Sequence, residues 1–279
     1  MPPGIPHFLG RKPMPVKTMP AEHDAKYYCI FYGRNILLQK NALAGKDVFD
    51  FLIKNNKALD WFTEDPLSYA AMLLKEDLTG SSILPKDCTF IPVRQLFFDN
   101  EELTPIAARA LSLLRQRQSF KYCPTCASLL QDDKDETAKL CTKCNKKFFP
   151  RIEPATITLV SKGSQILLAK NKNAIYKNYA CISGFVEQGE TLEQCVAREV
   201  KEETNIDVQN VRYVGSQAWP FPDQLMLAFT ADYKAGQIKI QESELTKAAW
   251  FEKDALPPQD QLPRPGSVAW NLISGKFNN

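Results

Sequence analysis

The sequence has little histidine, which limits the chemistry that it can perform. Only His7 and His23 occur in 279 residues, both near the N-terminus, so carboxylates must do the acid–base work if the protein is an enzyme. No apolar run approaches the roughly 20 residues of a membrane-spanning helix. The formal net charge of +3 is too small to indicate nucleic acid or a membrane surface as the main partner.

The N-terminus also lacks the continuous apolar core of a secretory signal. Residues 1–24 are instead rich in proline, and we interpret them as an irregular arm. The alternative is an extended segment that docks along the body. Tightly paired cysteines in a chain without a secretory signal indicate a reducing compartment, so we expect a cytoplasmic protein.

Residues 25–120 alternate strand-like and helical stretches. The runs KYYCIFYG and NILLQ predict paired strands, and DCTFIPVRQLFF predicts another. The run ELTPIAARALSLLRQRQ predicts a helix with one apolar face. This region has no catalytic signature, so we interpret it as a scaffold or dimerisation domain.

Residues 121–150 contain four of the eight cysteines, in two tight pairs. Cys123 and Cys126 form the first Cys-x-x-Cys pair, and Cys141 and Cys144 form the second. Four thiolates in this spacing suit tetrahedral zinc, and a site closed in this way has a structural role. Two disulfides or a redox pair are the alternatives. We predict a zinc ribbon.

Residues 151–279 predict a mixed sheet covered by helices. ATITLV and QILLAK read as two strands joined by the hairpin signal SKGS, and YACISGFV reads as a third strand. After a helix, NVRYVGSQAW, LMLAFTADY and IKIQ read as three more strands. The short amphipathic run SVAWNLISG then predicts a final helix.

The helix between the two groups of strands carries the chemistry. Its start is marked by Thr191 and Gln194, which form a capping box, and Asn205 stands at its end. Leu192, Val196 and Val200 recur every four residues, which predicts a buried stripe.

Three glutamates share another face of this helix. Glu199, Glu202 and Glu203 follow an i, i+3, i+4 spacing, so their carboxylates project together. A solvated acidic face is the commoner reason for such a pattern. Repelling carboxylates are also the ligands that hard divalent cations prefer, and we favour this reading because of the surrounding motif.

The run from Gly184 to Ile206 resembles the Nudix box, G-x5-E-x7-R-E-U-x-E-E-x-G-U, in which U is aliphatic. Only Asn205 departs from the pattern, where it replaces the second glycine. Asparagine tolerates the left-handed backbone that glycine adopts, so we expect a slightly costlier helix end and retained activity.

The resemblance implies an α+β fold, in which a Nudix α/β/α sandwich with a mixed sheet follows the zinc ribbon and an N-terminal α+β domain. It implies a hydrolase of nucleoside diphosphates linked to another group, which uses Mg²⁺ or Mn²⁺. Glu199 and Glu203 would be direct ligands, and Glu202 a ligand or base. Glu190 would pair with Arg198. The carbonyl of Ser183 and the carboxylate of Glu244 would complete the metal site.

The loop SQAWPFPDQLM is similar to the SQPWPFPxS motif of the NADH pyrophosphatase branch of the Nudix family. Ala218 replaces the first proline of that motif, and Gln224 replaces its serine. The stiff loop presents Trp219 and Phe221 as flat surfaces for stacking on a ring; a purely structural loop is the alternative. The substrate-binding residues that the resemblance implies are Arg94, Glu136, Phe149, Phe185, Gln217, Ala218, Trp219, Pro220, Phe221, Pro222, Asp223, Gln224 and Ala269.

For the substrate, this branch implies NAD(H), cleaved to AMP and nicotinamide mononucleotide. It further implies removal of NAD caps from RNA and a homodimer with shared sites. A Nudix enzyme for ADP-ribose or another dinucleotide is one alternative. The other is a nucleic-acid-binding protein with a zinc ribbon and an inactive Nudix domain. The intact glutamates and the acidic run DDKDE in the ribbon argue against it.

Overall fold

The computed structural model describes residues 25–64, 69–174 and 178–278. The predicted proline-rich arm, residues 1–24, lies outside the described residues. The chain divides into two compact units, residues 1–151 and residues 152–279. No helix in the described ranges is long and apolar enough to cross a membrane.

The first unit is built on a six-stranded sheet in the order β3-β2-β1-β5-β4, with β6 paired to β2. The strands are β1 (Tyr27–Tyr32), β2 (Asn35–Gln39), β3 (Ala42–Leu43), β4 (Ala58–Glu64), β5 (Tyr69–Leu74) and β6 (Cys88–Pro92). The predicted pairing of the first two strands is confirmed, because β1 and β2 form an antiparallel hairpin. Among the described strands of this sheet, β1 and β5 are the one parallel pair.

The described residues of this unit also form three helices, α1 (Lys46–Lys54), α2 (Val93–Asp99) and α3 (Thr104–Ser119). The apolar face predicted for α3 is confirmed, since Ile106, Ala107 and Leu114 are buried. The strand predicted from DCTFIPVRQLFF is wrong in its second half. It ends at Pro92, and VRQLFFD forms α2 because Val93 and Leu96, one helical turn apart, are the positions that become buried.

The ribbon belongs to the first unit and contains three very short strands, β7 (Gln131–Asp132), β8 (Lys139–Cys141) and β9 (Lys146–Phe148). They form an antiparallel sheet in sequence order. Arg117 of α3 bonds to Asp60 of β4 at 2.9 Å and to Asp132 of β7 at 2.7 Å, so this one side chain ties the ribbon to the larger sheet.

The second unit is a seven-stranded mixed sheet in the order β12-β11-β10-β15-β14, with β13 paired to β10 and β16 to β11. Its strands are β10 (Glu153–Lys162), β11 (Gln165–Asn171), β12 (Tyr179–Ala180), β13 (Ile182–Phe185), β14 (Asp207–Trp219), β15 (Gln224–Ala235) and β16 (Leu245–Glu252). Strands β10 and β15 are parallel and the other pairs are antiparallel. The predicted mixed sheet is confirmed.

Two hydrophobic cores lie on opposite faces of this sheet. Along β11, Ile166 and Leu168 join the core that contains α5 (Val268–Ile273), whereas Leu167 and Ala169 join the core that contains Val200. Successive strand residues point to opposite faces, so α4 (Leu192–Thr204) and α5 cover different sides. This arrangement is the predicted α/β/α sandwich.

Two strand predictions in this unit need correction. YACISGFV forms two strands because its two halves pair with different partners: β12 pairs with β11, and β13 pairs with β10. The buried Cys181 lies at the break between them. The segment IKIQ is not a strand: its Lys239 and Gln241 amides bond to carbonyls at the end of α4. The last strand is instead β16, which pairs along most of β11.

Candidate active site

Helix α4 presents the glutamates because both of its ends are fixed. Thr191 accepts a bond from the Gln194 amide, and the Gln194 side chain accepts one from the Thr191 amide, so the predicted capping box is formed. Asn205 ends the helix with φ of 61°, as predicted for a left-handed residue. Val196 and Val200 are fully buried, whereas Leu192 is only half-buried.

Gly184 allows β13 to pass close to the side chain of Glu199. A β-carbon added to Gly184 would lie 1.8 Å from the Glu199 Cδ atom, which is impossible without displacing the carboxylate. The glycine is therefore needed for close approach and not for an unusual backbone angle. Ser183 directly precedes it on β13, with Ile157 of β10 as its neighbour in the sheet.

Arg198 organises the start of the site through one guanidinium group. It forms two bonds to the Glu190 carboxylate, at 3.0 and 2.7 Å, and one to the carbonyl oxygen of Phe185 at 2.9 Å. Its remaining amine reaches Glu199 at 2.8 Å and Glu202 at 3.2 Å. Hydrogen bonding from Arg198 lowers the pKa of Glu190 to about 2, so this pair stays ionised and holds the loop before α4.

Glu203 is the least exposed of the helix glutamates, with a relative exposure of 5%. Burial, followed by the charges of Glu199, Glu244 and Glu202, raises the pKa of Glu203 to about 8. Burial also raises the pKa of Glu199, against the opposing effect of Arg198. We call these four glutamates the carboxylate cluster.

Glu244 reaches the carboxylate cluster from outside the helix. Residues 236–241, which we call the anchor segment, run along the C-terminal end of α4. The Lys239 amide bonds to the carbonyl of Thr204, and the Gln241 amide bonds to the carbonyl of Glu203, both at 3.0 Å. The Gln241 carbonyl then accepts the Glu244 amide at 3.0 Å, in a turn that carries Glu244.

The carboxylate cluster fits a divalent cation by its chemistry. Oxygen ligands are those that Mg²⁺ and Mn²⁺ prefer. Among the described residues, the buried Glu203 carboxylate accepts no hydrogen bond, and burial, followed by three neighbouring negative charges, raises its pKa. A bound cation would relieve this repulsion. The four carboxylates are not drawn together as tightly as the sulfur atoms of the ribbon.

The four ribbon cysteines form a compact sulfur cluster, and their sulfur atoms all lie within 4.8 Å of one another. The distances are 3.7 Å for Cys123–Cys144, 3.5 Å for Cys126–Cys141 and for Cys141–Cys144, and 3.0 Å for Cys126–Cys144. Tetrahedral zinc, with Zn–S bonds of about 2.3 Å, separates its sulfurs by about 3.8 Å. The cysteines are unpaired, so the predicted alternative of two disulfides is not what the structure shows.

Each cysteine pair closes the same kind of turn. The Ala127 amide bonds to the Cys123 carbonyl, and the Asn145 amide bonds to the Cys141 carbonyl, both at 2.8 Å. Ala127 and Asn145 have φ of 57° and 54°. Two matching turns place both sulfur pairs around one point, as a four-thiolate zinc site requires.

The chain is similar to known proteins over most of its length. A NUDIX domain model matches residues 151–270. The NAD-capped RNA hydrolase NudC of Escherichia coli O1:K1 / APEC is 44% identical over 253 residues, which cover 90% of this chain and 92% of that protein. The NAD-capped RNA hydrolase NudC of Chromobacterium violaceum is 36% identical over 263 residues, which cover 94% and 95% respectively. The chain belongs to the Nudix hydrolase family.

The likeness is not confined to the Nudix domain. The NAD-capped RNA hydrolase NudC of Pectobacterium atrosepticum is 44% identical over 188 residues, 67% of this chain and 71% of that protein. The two longer matches also include most of the first unit. The resemblance to the Nudix family inferred from the box is therefore confirmed, and the protein is a hydrolase.

In this Nudix hydrolase, the WPFP motif forms the loop of the β14–β15 hairpin. Trp219 and Gln224 are the last paired residues, so Pro220, Phe221, Pro222 and Asp223 make the loop. The rings of Trp219 and Phe221 meet edge to face, with centroids 5.3 Å apart. Trp219 also packs on the core that contains α5, so its ring is held in place on one side.

Gln217 has a role that sequence reasoning missed. Its Nε2 donates to the Gly266 carbonyl at 2.8 Å, and its Oε1 accepts from the Val268 amide at 2.7 Å. The amide group therefore ties β14 to the start of α5, which carries Ala269. Because both partners are backbone atoms far along the chain, no side-chain pattern could have revealed this contact.

The other predicted substrate residues are spread over both units. Phe185, on β13, is 49% exposed, and Phe149, at the exit of the ribbon, is 54% exposed, so both rings offer free surface. Glu136 bonds to Lys147 at 2.8 Å within the ribbon. Arg94 is half-buried on α2. Phe185 and the predicted substrate residues that follow it in the sequence belong to the second unit, whereas Arg94, Glu136 and Phe149 belong to the first.

Proposed function

We propose that this protein hydrolyses the pyrophosphate bond of NAD(H), giving AMP and nicotinamide mononucleotide, and that it also removes NAD caps from RNA. Water is added across one P–O bond, so one product phosphate keeps the bridging oxygen and the other gains the water oxygen. The observation that carries the proposal is the carboxylate cluster around the buried Glu203. The names of the relatives, NAD-capped RNA hydrolases, support the choice of substrate.

The cluster would hold Mg²⁺ or Mn²⁺ through Glu199, Glu203 and Glu244, with the Ser183 carbonyl as a further ligand. Such cations supply Lewis-acid polarisation of phosphoryl oxygens and a water of lowered pKa. Glu202, with 54% of its side chain exposed, is a further ligand or the group that accepts the proton of the attacking water. Zn²⁺ would fill the ribbon site.

Arg198 and Glu190 have a positioning role in this proposal. Arg198 donates to Glu199 and to Glu202, which fixes the orientation of both carboxylates. Its bonds to Glu190 and to the Phe185 carbonyl tie that orientation to the loop before α4. Groups held in this way need little rearrangement when substrate arrives.

The hairpin loop and its neighbours would bind the nucleotide. Trp219 and Phe221 present rings held by their mutual contact and by the core. Stacking on the adenine or nicotinamide ring is the use that such rings suit. Ala218 and Pro222 are exposed beside them, and Phe185 offers a further ring.

The decisive experiment incubates the purified protein with NADH and Mn²⁺ or Mg²⁺ and separates the products by chromatography. AMP and reduced nicotinamide mononucleotide, absent after EDTA, are the expected products. Cleavage of ADP-ribose or a diadenosine substrate with NADH left intact would overturn the substrate and keep the reaction class. Inertness towards all of them would favour a binding protein.

Two parts of the proposal need separate measurements. NAD-capped RNA is tested with a capped transcript, whose 5′ end becomes a monophosphate if the cap is removed. The homodimer implied by the family resemblance is tested by the sedimentation mass of the full chain, and a monomer at micromolar concentration would contradict it.

A further inference from the structure

Asn205 stands where the Nudix box has its second glycine, and it does something that glycine cannot do. Its φ of 61° is the left-handed conformation that glycine supplies at a helix end. Its side-chain Nδ2 also donates a hydrogen bond to the carbonyl of Gln237 at 3.2 Å. Glycine has no such donor, so this chain has gained a contact by departing from the motif.

The contact fixes the first part of the anchor segment against α4. The anchor segment and the end of α4 are already close there, since a β-carbon on Gly236 would lie 2.5 Å from the Asn205 carbonyl oxygen. The amides of Lys239 and Gln241 then bond to the last carbonyls of the helix. Asn205 therefore adds a side-chain bond at the start of a backbone ladder, where the segment leaves β15.

The ladder leads directly to the carboxylate cluster. Gln241 bonds through its amide to the carbonyl of Glu203, and its own carbonyl accepts the amides of Glu244 and Leu245, at 3.0 and 2.9 Å. On the other side, the Lys172 amide donates to the Glu244 carbonyl. Gln241 therefore joins the anchor segment both to Glu203 and to the turn that carries Glu244.

We propose that Asn205 is a positioning residue for the metal site, because its side chain holds the anchor segment against α4 and so keeps Glu244 beside Glu203. The inference rests on the metal site of the proposed function, and it is independent of which nucleotide is cleaved. Asn205 touches neither substrate nor cation in this role.

The test compares Asn205→Gly with the parent in Mn²⁺ binding, measured by isothermal titration of the metal alone. Glycine keeps the left-handed helix end and removes only the donor. We expect Mn²⁺ to bind roughly three- to tenfold more weakly, the loss that one partly exposed hydrogen bond represents. The thermal midpoint of the metal-free variant should be unchanged or raised, because glycine is favoured at this backbone angle.

The matched control is Asn210→Gly. Asn210 also has a positive φ, of 52°, and its Nδ2 bonds to Asp232 at 2.9 Å. It lies on β14, outside the anchor segment. This variant should bind Mn²⁺ as the parent does. Amide hydrogen exchange should quicken at Lys239 and Gln241 in Asn205→Gly and stay unchanged there in Asn210→Gly.

A double-mutant cycle with Glu244→Gln shows whether Asn205 acts through Glu244. The three helix glutamates remain in that variant, so weaker Mn²⁺ binding stays measurable. We expect Asn205→Gly to add little once Glu244 has lost its charge. Parent-like affinity in Asn205→Gly, parent-like affinity in Glu244→Gln, or fully additive losses would each overturn the proposal. Failure to cleave NADH would leave it standing.

Discussion

At the scale of single residues, Glu203 is the residue whose substitution should affect the site most, because it is buried beside three other carboxylates. Glu203→Gln keeps the size of the side chain and removes its charge. We expect NADH hydrolysis to fall by roughly 100-fold or more, since even outer-shell changes at metal sites reach that range. An unchanged circular dichroism spectrum would show that the fold is intact. A parent-like rate would contradict the assignment of Glu203 as a ligand.

The pKa of Glu203 predicts how the metal-free protein responds to pH. The folded state raises this pKa from 4.5 to about 8, so the folded chain holds the proton more tightly than the unfolded chain. The stabilisation is fully present below about pH 4.5 and is lost as the pH rises to about 8. Urea unfolding in EDTA at pH 5 and pH 8.5 should show this loss in the parent and a smaller one in Glu203→Gln. Equal losses in both proteins would refute the prediction.

Gln217 predicts a linked change in stability and substrate affinity. Gln217→Ala removes two hydrogen bonds to the backbone of Gly266 and Val268. Together these bonds contribute about 1–3 kcal/mol to the free energy of unfolding. The start of α5 should loosen, and the KM for NADH should rise several-fold with a smaller change in kcat. Denaturant unfolding and steady-state kinetics measure the two effects. A rise in KM without any loss of stability would indicate a direct substrate contact instead.

At this scale, sequence spacing predicted more than composition could. Glu199, Glu202 and Glu203 were identified because a helix places positions i, i+3 and i+4 together, and the structure puts them on one helix. The two hydrogen bonds of the Gln217 side chain and the hydrogen bond of the Asn205 side chain were not predicted. Their partners are backbone carbonyls and an amide 32 to 51 residues away, and backbone groups leave no trace in residue type.

At the scale of elements, the packing of β13 against α4 depends on one missing methyl group. Gly184→Ala would place a β-carbon on the Glu199 carboxylate. The end of a flexible side chain can move aside, so we expect little loss of stability, but Glu199 would leave its bond to Arg198. Hydrolysis and Mn²⁺ affinity should fall while the thermal midpoint changes by only a few degrees. A large fall in that midpoint would show that β13 itself had shifted.

The same scale shows why some elements were mistaken. IKIQ alternates apolar and polar residues like a strand, and Ile238 and Ile240 do pack on the core. Its hydrogen bonds go to the end of α4, however, and not to a neighbouring strand. The true strand, β16, contains Ala248 and Ala249 at its centre, residues with weak strand preference. Its place is set by pairing with β11, which tertiary structure alone reveals.

At the scale of the whole molecule, the ribbon and the hydrolase domain lie in different compact units, so their metals should be separable. Cys141→Ser removes one of four thiolates from a buried position. We expect the purified variant to lose its zinc and the first unit to become less stable, because structural zinc contributes directly to folding. Elemental analysis and thermal unfolding measure both. Cys88→Ser, outside the sulfur cluster, is the control and should keep its zinc.

The overall architecture was the most predictable level. The order of domain, ribbon and sandwich followed from the cysteine spacing, the strand pattern and the Nudix box. The attachment of the ribbon to the sheet of the first unit was harder to predict from sequence. Arg117 joins α3, β4 and the ribbon through two aspartates distant in sequence. Ion pairs between distant side chains have no local signature.

The anchor segment also constrains how this protein can change over generations. Its ladder uses main-chain atoms of Lys239 and Gln241, so substitutions at exposed positions leave it intact. An insertion or deletion of a single residue would shift the pairing and carry Glu244 away from Glu203. Among descendants of this chain, the exposed side chains between β15 and Glu244 are free to vary, whereas Gly236, which passes close to Asn205, and the number of residues in the segment are not.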